Sequence, residues 1–316
     1  MAKRVGLSIY GMSLYDGEQE RNINLNDVKN FKNILQIINE YIDYTGDDYS
    51  KDWAKEKVYK FDNVVLEDVK VGGREEYSIL SGLVKTGEYG VQSELFDIAD
   101  GSTSEKRPTQ AEVLPFGFCI AVAKGNKTKA VVILQTFGNL GIKTVFTKYL
   151  NKCIRHNKLE LSLLLEPLYP IQYIERIMKK GILQKIRMIR YEVPEDIANS
   201  LGVNNGVSLK EERVIFKPVG FLKSKRNIIM ECLRGQRAST EVLEIPGFDY
   251  DQLKLEFSVK NKTKTINFND TQELRINEDI TDEVAIHQGI PVFNSLKECM
   301  KSTAYEYLGL MGVTVK

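Results

Sequence analysis

The sequence predicts an α+β protein with antiparallel sheets and flanking helices, arranged in two domains. Runs of alternating apolar residues, typical of half-buried strands, recur along the chain and are joined by short turns. A strongly apolar hairpin, residues 113–137, is followed directly by an amphipathic helix, an order that favours the α+β class. At 316 residues with 42% hydrophobic content, the chain is long enough for one large core or two.

The first predicted domain, residues 1–105, is acidic and mixes strands with one helix. Asn24 or Asn26 is a candidate N-cap for an amphipathic helix that ends near Tyr44. Residues 94–110, rich in Asp, Ser and Gly, predict a flexible connector and the domain boundary. The predicted strands are residues 4–12, 58–71 and 76–85, with the last two joined by a hairpin turn at Gly72-Gly73.

The second predicted domain, residues 106–316, is basic and closes with a helix. Pro170 and Gly181 are suited to the two ends of its second helix. Residues 223–226 predict a basic turn before another apolar run. The predicted strands are residues 113–122, 129–137, 159–165, 183–191, 214–219, 253–259, 264–268 and 274–280, and the predicted helices are 142–155, 170–180, 194–201 and 291–308.

Positive charge is concentrated in the middle third of a nearly neutral chain. Residues 141–237 contain 19 Lys and Arg against 9 Asp and Glu, whereas residues 1–110 contain 14 against 20. Residues 238–316 are also acidic, with 8 against 13. This asymmetry favours a polyanionic partner, and duplex DNA presents about one negative charge per 1.7 Å of its axis.

The basic bias recurs in two predicted helices, one strand and one turn, and repetition makes an ordinary solvated face a poorer explanation. Tyr149, Tyr169, Tyr173 and Phe221 lie among these cations and are typical of either core packing or stacking on bases. The predicted nucleic-acid-binding residues are Lys143, Lys148, Lys152, Arg155, Arg176, Lys179, Lys180, Lys185, Arg187, Arg190, Lys223, Lys225 and Arg226. No helix-turn-helix, RRM signature or zinc finger accompanies them, which favours binding without sequence readout.

Motifs for nucleotide-dependent chemistry are absent, since neither GxxxxGK[ST] nor GxGxxG occurs. Only two histidines, His156 and His287, are available, which excludes His-rich metal sites, and no cofactor or metal is predicted. A metal-dependent nuclease stays open as an alternative, with candidate carboxylates Asp62 and Asp68 beside Lys70, or Asp251 and Glu256. A protein-binding inhibitor or structural subunit without nucleic-acid affinity is the third class.

The cysteines and the chain's hydropathy predict a cytoplasmic protein. Cys119, Cys153, Cys232 and Cys299 are widely spaced and lie in apolar runs, as expected for reduced buried thiols. The N-terminus lacks the apolar region of a signal peptide, and no window approaches 18 unbroken apolar residues, so no membrane insertion is expected.

Four segments resemble the A component of the phage Rex exclusion system. They are Arg21-Asn22-Ile23-Asn24-Leu25, Leu114-Pro115-Phe116-Gly117-Phe118, Leu163-Leu164-Leu165-Glu166-Pro167-Leu168 and the polar-to-helical C-terminus. DNA-binding proteins of the Kiwa defence type are a related possibility. The resemblance implies a homodimer that binds duplex DNA with little sequence preference in bacterial or phage antiviral defence, by exclusion or abortive infection. The acidic N-terminal block separately suggests contact with a partner, a second defence-system protein. This chain departs from the pattern in extra loops at residues 47–57 and 94–110.

Overall fold

The computed structural model describes residues 4–29, 32–71, 74–125, 128–168, 171–191, 210–234, 236–259, 262–269 and 275–311. It confirms the predicted α+β class. The helices are α1 (Ile34–Thr45), α2 (Lys143–His156), α3 (Ile171–Lys180), α4 (Phe221–Leu233) and α5 (Phe293–Leu310). The first eleven strands are β1 (Val5–Asp16), β2 (Arg21–Asn22), β3 (Ser50–Asp52), β4 (Lys57–Val71), β5 (Arg74–Glu88), β6 (Ser93–Phe96), β7 (Thr103–Lys106), β8 (Glu112–Ala123), β9 (Ala130–Phe137), β10 (Leu140–Gly141) and β11 (Ser162–Pro167). The others are β12 (Ile182–Arg190), β13 (Glu211–Phe216), β14 (Gln252–Val259), β15 (Lys262–Asn269), β16 (Arg275–Asp279), β17 (Ile286–His287) and β18 (Ile290–Pro291).

The chain divides into two compact units. Unit 1 comprises residues 1–166 and 281–316, and unit 2 comprises residues 167–280. The predicted boundary near residue 105 falls inside unit 1, where β5 and β8 pair across it from Tyr77–Ala123 to Glu88–Glu112.

The sheet of unit 1 has the order β1-β9-β8-β5-β4-β3, and its neighbours are antiparallel. Helices α1 and α2 cover one face, where Phe61, Phe118, Phe146 and Tyr149 form the centre of an apolar core. Gly117 lies between Phe116 and Phe118 in β8, so it points to the opposite face, where α5 packs on β8 and β9. A Cβ on Gly117 would come within 2.6 Å of Leu296 in α5, which explains a glycine there.

The sheet of unit 2 has the order β13-β12-β14-β15-β16, again antiparallel. Alternation along the strands buries Ile186 and Met188 of β12 beside Leu253 and Leu255 of β14. Helix α3 packs on β14, and α3 and α4 lie against each other. The two helices that carry predicted binding residues in this unit are therefore neighbours.

Three local predictions were wrong. Helix α1 is capped by Asn33 rather than Asn24 or Asn26, because Asn33 and Gln36 form a reciprocal capping box. The predicted connector 94–110 contains the exposed hairpin β6–β7, whose pairing is local. The predicted basic turn 223–226 and the apolar run after it form the single helix α4.

The other helices and strands lie close to the predicted bounds where the structure describes them. The predicted hairpin turn Gly72-Gly73 and the predicted helix 194–201 lie outside the described residues. Cys119 and Cys153 are buried, whereas Cys232 and Cys299 are half-buried. Within the described ranges, no helix has the length and apolar character needed to cross a bilayer.

Candidate nucleic-acid interface

The structure divides the predicted cations into a group engaged in contacts within the protein and a group that faces water. In α2, the Lys148 ammonium lies 2.6 Å from an Asp52 carboxylate oxygen. Asp52 is only 7% exposed, and the hydrogen bond from Lys148 is the main cause that lowers the pKa of its carboxyl. Lys148 therefore neutralises a buried charge of unit 1.

The remaining predicted residues of α2 are also in contact with their own unit. The Lys152 ammonium donates a 2.8 Å hydrogen bond to the Tyr59 hydroxyl. Lys143 lies over the Tyr10 ring, 5.0 Å from its centroid. Arg155 is exposed, and its Nε donates to a backbone carbonyl one turn earlier in the helix. Tyr149, considered above for stacking, is buried in the core and has no surface to offer a base.

The strand β12 carries cations that pair with carboxylates of its neighbours. Arg187 binds Glu212 of β13 and lies 3.1 Å from Glu256 of β14, and the Glu212 hydrogen bond is the main cause that raises the pKa of Arg187. These pairs lie on the side of the sheet opposite the buried Ile186 and Met188. The other two predicted cations of β12 are also paired: Lys185 lies 3.5 Å from Glu256, and Arg190 pairs with Glu211.

The second group comprises Arg176, Lys179 and Lys180 of α3 and Lys223, Lys225 and Arg226 of α4. We call these six residues the α3–α4 surface. Five of them are exposed and Lys225 is half-buried. Within the part of the chain that the structure describes, none of the six forms an ion pair with a carboxylate.

The apolar residues of the two helices determine which side chains face water. Ile174 and Ile177 of α3 are buried, so Arg176, Lys179 and Lys180 occupy the opposite side. In α4 the buried residues are toward its C-terminal end, at Ile229, Met230 and Leu233, and the cations lie in its first two turns. The helices contact each other, and the first turn of α4 lines the same cavity as the start of β12, which follows α3 directly, so both sets lie in one region of unit 2.

The cations of α4 lie at the helix end that disfavours positive charge. The first turn of α4 contains no acidic residue, its N-cap Gly220 provides no side-chain hydrogen bond, and Lys223 lies in this turn. A cation near a helix N-terminus costs roughly 0.3–1 kcal/mol relative to the opposite end. Lys179 and Lys180 instead lie in the last turn of α3, where they stabilise the helix.

Sequence reasoning missed three further cations of unit 2. Lys217 and Arg234 flank α4, and neither forms an ion pair among the described residues. Lys254 stands opposite Arg187 in the β12–β14 register, and desolvation, aided by the charges of Arg187 and Lys210, lowers its pKa. Strand alternation would have placed Lys254 on the same side as Lys185 and Arg187.

The carboxylates considered for a nuclease are held in contacts of their own. Asp62 pairs with Lys85 at 2.5 Å, and Asp68 accepts from Ser78 and pairs with Lys124 at 3.2 Å. Glu256 belongs to the Arg187 pair described above, and Asp251 accepts the backbone N–H of Tyr191. Among the residues that the structure describes, no group of three or more His, Cys, Asp or Glu side chains is arranged to hold a metal ion.

No protein-family model matches the chain, and no curated protein is significantly similar to it. The charge arrangement of unit 2 is the structural feature from which a function can be proposed.

Proposed function

We propose that the protein binds nucleic acid, with duplex DNA favoured, through the phosphate backbone and without sequence preference. The observation that carries this proposal is the α3–α4 surface, six cations on two adjacent helices with no carboxylate partner among the described residues. The other predicted cations would contribute less to nucleic-acid binding, since most of them already contact other groups of their own unit.

Physical chemistry supports phosphate as the ligand of these side chains. Lys and Arg that neutralise phosphates release condensed counterions, which gives affinity that depends strongly on salt and weakly on base sequence. An anion next to the first turn of α4 would also relieve the unfavourable position of Lys223 near the helix N-terminus.

The biological setting of the proposal is antiviral defence in bacteria or phages, by exclusion or abortive infection. It is supported by the resemblance to the A component of the Rex exclusion system in the four segments quoted above. The same resemblance supports a homodimer, and the acidic charge of residues 1–110 supports a second defence-system protein as a partner. Analytical sedimentation of the purified protein, measured alone and with DNA, would test for the dimer. Monomers under both conditions would contradict the proposed homodimer.

The proposal is tested by titrating a fluorescent duplex with wild type and with Lys223→Gln/Lys225→Gln/Arg226→Gln, the α4 variant. Because three phosphate contacts would be removed, we expect affinity at low salt to fall by about 10-fold or more. The matched control is Lys55→Gln/Lys70→Gln/Lys158→Gln, which removes the same charge from exposed residues of unit 1. Equal weakening by both variants would show a net-charge effect, and wild type without affinity at low salt would contradict the proposal.

A further inference from the structure

A cavity of about 480 Å³ lies in unit 2 and reaches the α3–α4 surface. It opens between the start of β12, the turn after β13 and the first turn of α4. Its volume falls within the range of roughly 300–1,000 Å³ that is usual for ligand sites. Its lining includes Ile182, Leu183, Val219, Leu222, Lys217 and Lys223.

The cavity keeps apolar side chains in contact with water. Val219 is 98% exposed and Ile182 is 68% exposed, although both are aliphatic. Phe216, which directly precedes Lys217, is 67% exposed, and the Lys185 ammonium lies 5.7 Å from its ring centroid. Exposed aliphatic side chains that line a concave site are available to the apolar part of a ligand.

The charges at this cavity are all of one sign. The described residues that line it include Lys217 and Lys223 and no carboxylate. Lys223 belongs to the α3–α4 surface, and Lys180 and Lys179 precede the lining residue Ile182 by two and three positions. An occupant that joins an apolar group to negative charge would therefore satisfy the lining and the lysines together.

We propose that the cavity binds an unpaired base of a nucleic acid whose phosphates lie on the α3–α4 surface. The preferred ligand would then be DNA in which unpaired nucleotides adjoin a duplex, as at an overhang or a gap. This inference rests on the proposed function and names the substrate class for the same site. A nucleotide matches the site because the two faces of its base are apolar and can lie against the aliphatic lining, while its phosphate carries the negative charge that the lysines require.

The test compares a blunt duplex with the same duplex carrying a short single-stranded overhang. We expect wild type to bind the overhang duplex more tightly, by roughly 5-fold or more, because a base face that lies against the aliphatic lining removes apolar surface from water. The variant Ile182→Ser/Val219→Ser should lose this preference and keep its affinity for the blunt duplex, because its charge is unchanged. Both side chains are exposed, so the fold is not at risk. The control Ile98→Ser alters a residue of unit 1 that is 92% exposed and should behave as wild type.

A fluorescent base analogue in the overhang gives a second readout, with a change in emission on binding that the double variant abolishes.

Equal affinity of wild type for both duplexes would overturn the inference and leave the proposed function intact. Absence of binding to either duplex would remove the proposed function, and the inference with it. In a third outcome, wild type shows no preference for the overhang, and an alternating Glu/Leu peptide binds wild type but not the double variant. This result would indicate that the cavity binds a protein partner. That outcome too would overturn the inference.

Discussion

Lys148 and Lys223 are two lysines of the same basic segment, and their surroundings give them different roles. Lys148 lies 2.6 Å from the buried Asp52 carboxylate, whereas Lys223 has no carboxylate partner in the described part of the chain. The sequence alone could not distinguish them, because Asp52 and Lys148 are 96 positions apart. Counting cations along the chain does not show which of them pair with a carboxylate on a distant strand.

We predict that Lys148→Gln lowers the free energy of unfolding by about 1–2 kcal/mol at pH 7, since it leaves the buried Asp52 carboxylate without its main hydrogen-bond donor. Lys148 itself is partly exposed, which places the effect in the lower part of the usual range. Urea unfolding measures the change. The control is Lys32→Gln, whose partner Glu40 is exposed, and we expect it to cost less than about 0.5 kcal/mol.

The effect of Lys148→Gln should also depend on pH. The Lys148 hydrogen bond holds the pKa of Asp52 below its ordinary value. A carboxyl of this kind stabilises the fold above its unfolded pKa and loses that contribution as the pH falls through the folded pKa. The difference between wild type and variant should therefore be constant near neutral pH and shrink below about pH 4. A difference that persists unchanged at pH 3 would show that the Asp52 charge is not its origin.

Among the elements, α4 shows both what sequence patterns reveal and where they fail. The sequence shows its cations and its apolar run, but the pattern predicts a basic turn followed by a separate apolar segment, whereas the structure has one helix. The burial of Ile229, Met230 and Leu233 follows the spacing of one helix face, a stripe too short to stand out from the apolar run in the sequence. In β8, β9 and α2, the apolar pattern is longer and the predicted elements are confirmed.

We predict opposite effects on stability for one substitution at opposite helix ends. Lys223→Gln removes a cation from the first turn of α4 and should raise the free energy of unfolding by about 0.3–1 kcal/mol at low salt. Lys180→Gln removes a cation from the last turn of α3 and should lower it by a similar amount. Urea unfolding of both variants in the same buffer measures this, and effects of equal sign would contradict it. A gain for Lys223→Gln together with weaker DNA binding would indicate that Lys223 serves binding rather than stability.

At the scale of the whole molecule, the sequence predicted the α+β class from its alternating apolar runs and showed the concentration of positive charge in the middle of the chain. It did not predict that part of this charge is neutralised by long-range pairs such as Arg187 with Glu256, which are 69 positions apart. Of the thirteen predicted residues, the candidate site therefore keeps the six of the α3–α4 surface, together with the cavity beside them. The cavity was beyond sequence reasoning, because it is formed where β12, the turn after β13 and α4 meet.

The measurement that tests the central claim most directly is the salt dependence of duplex-DNA affinity for wild type and the α4 variant. If the α3–α4 surface binds phosphates, log K should fall linearly with log salt for wild type, with a slope of magnitude about 5 for six contacts. The α4 variant should show a slope smaller by up to about 2.7, and the unit 1 control should keep the wild-type slope. An α4 variant whose slope equals that of wild type would contradict the claim, since the phosphates would then be bound elsewhere.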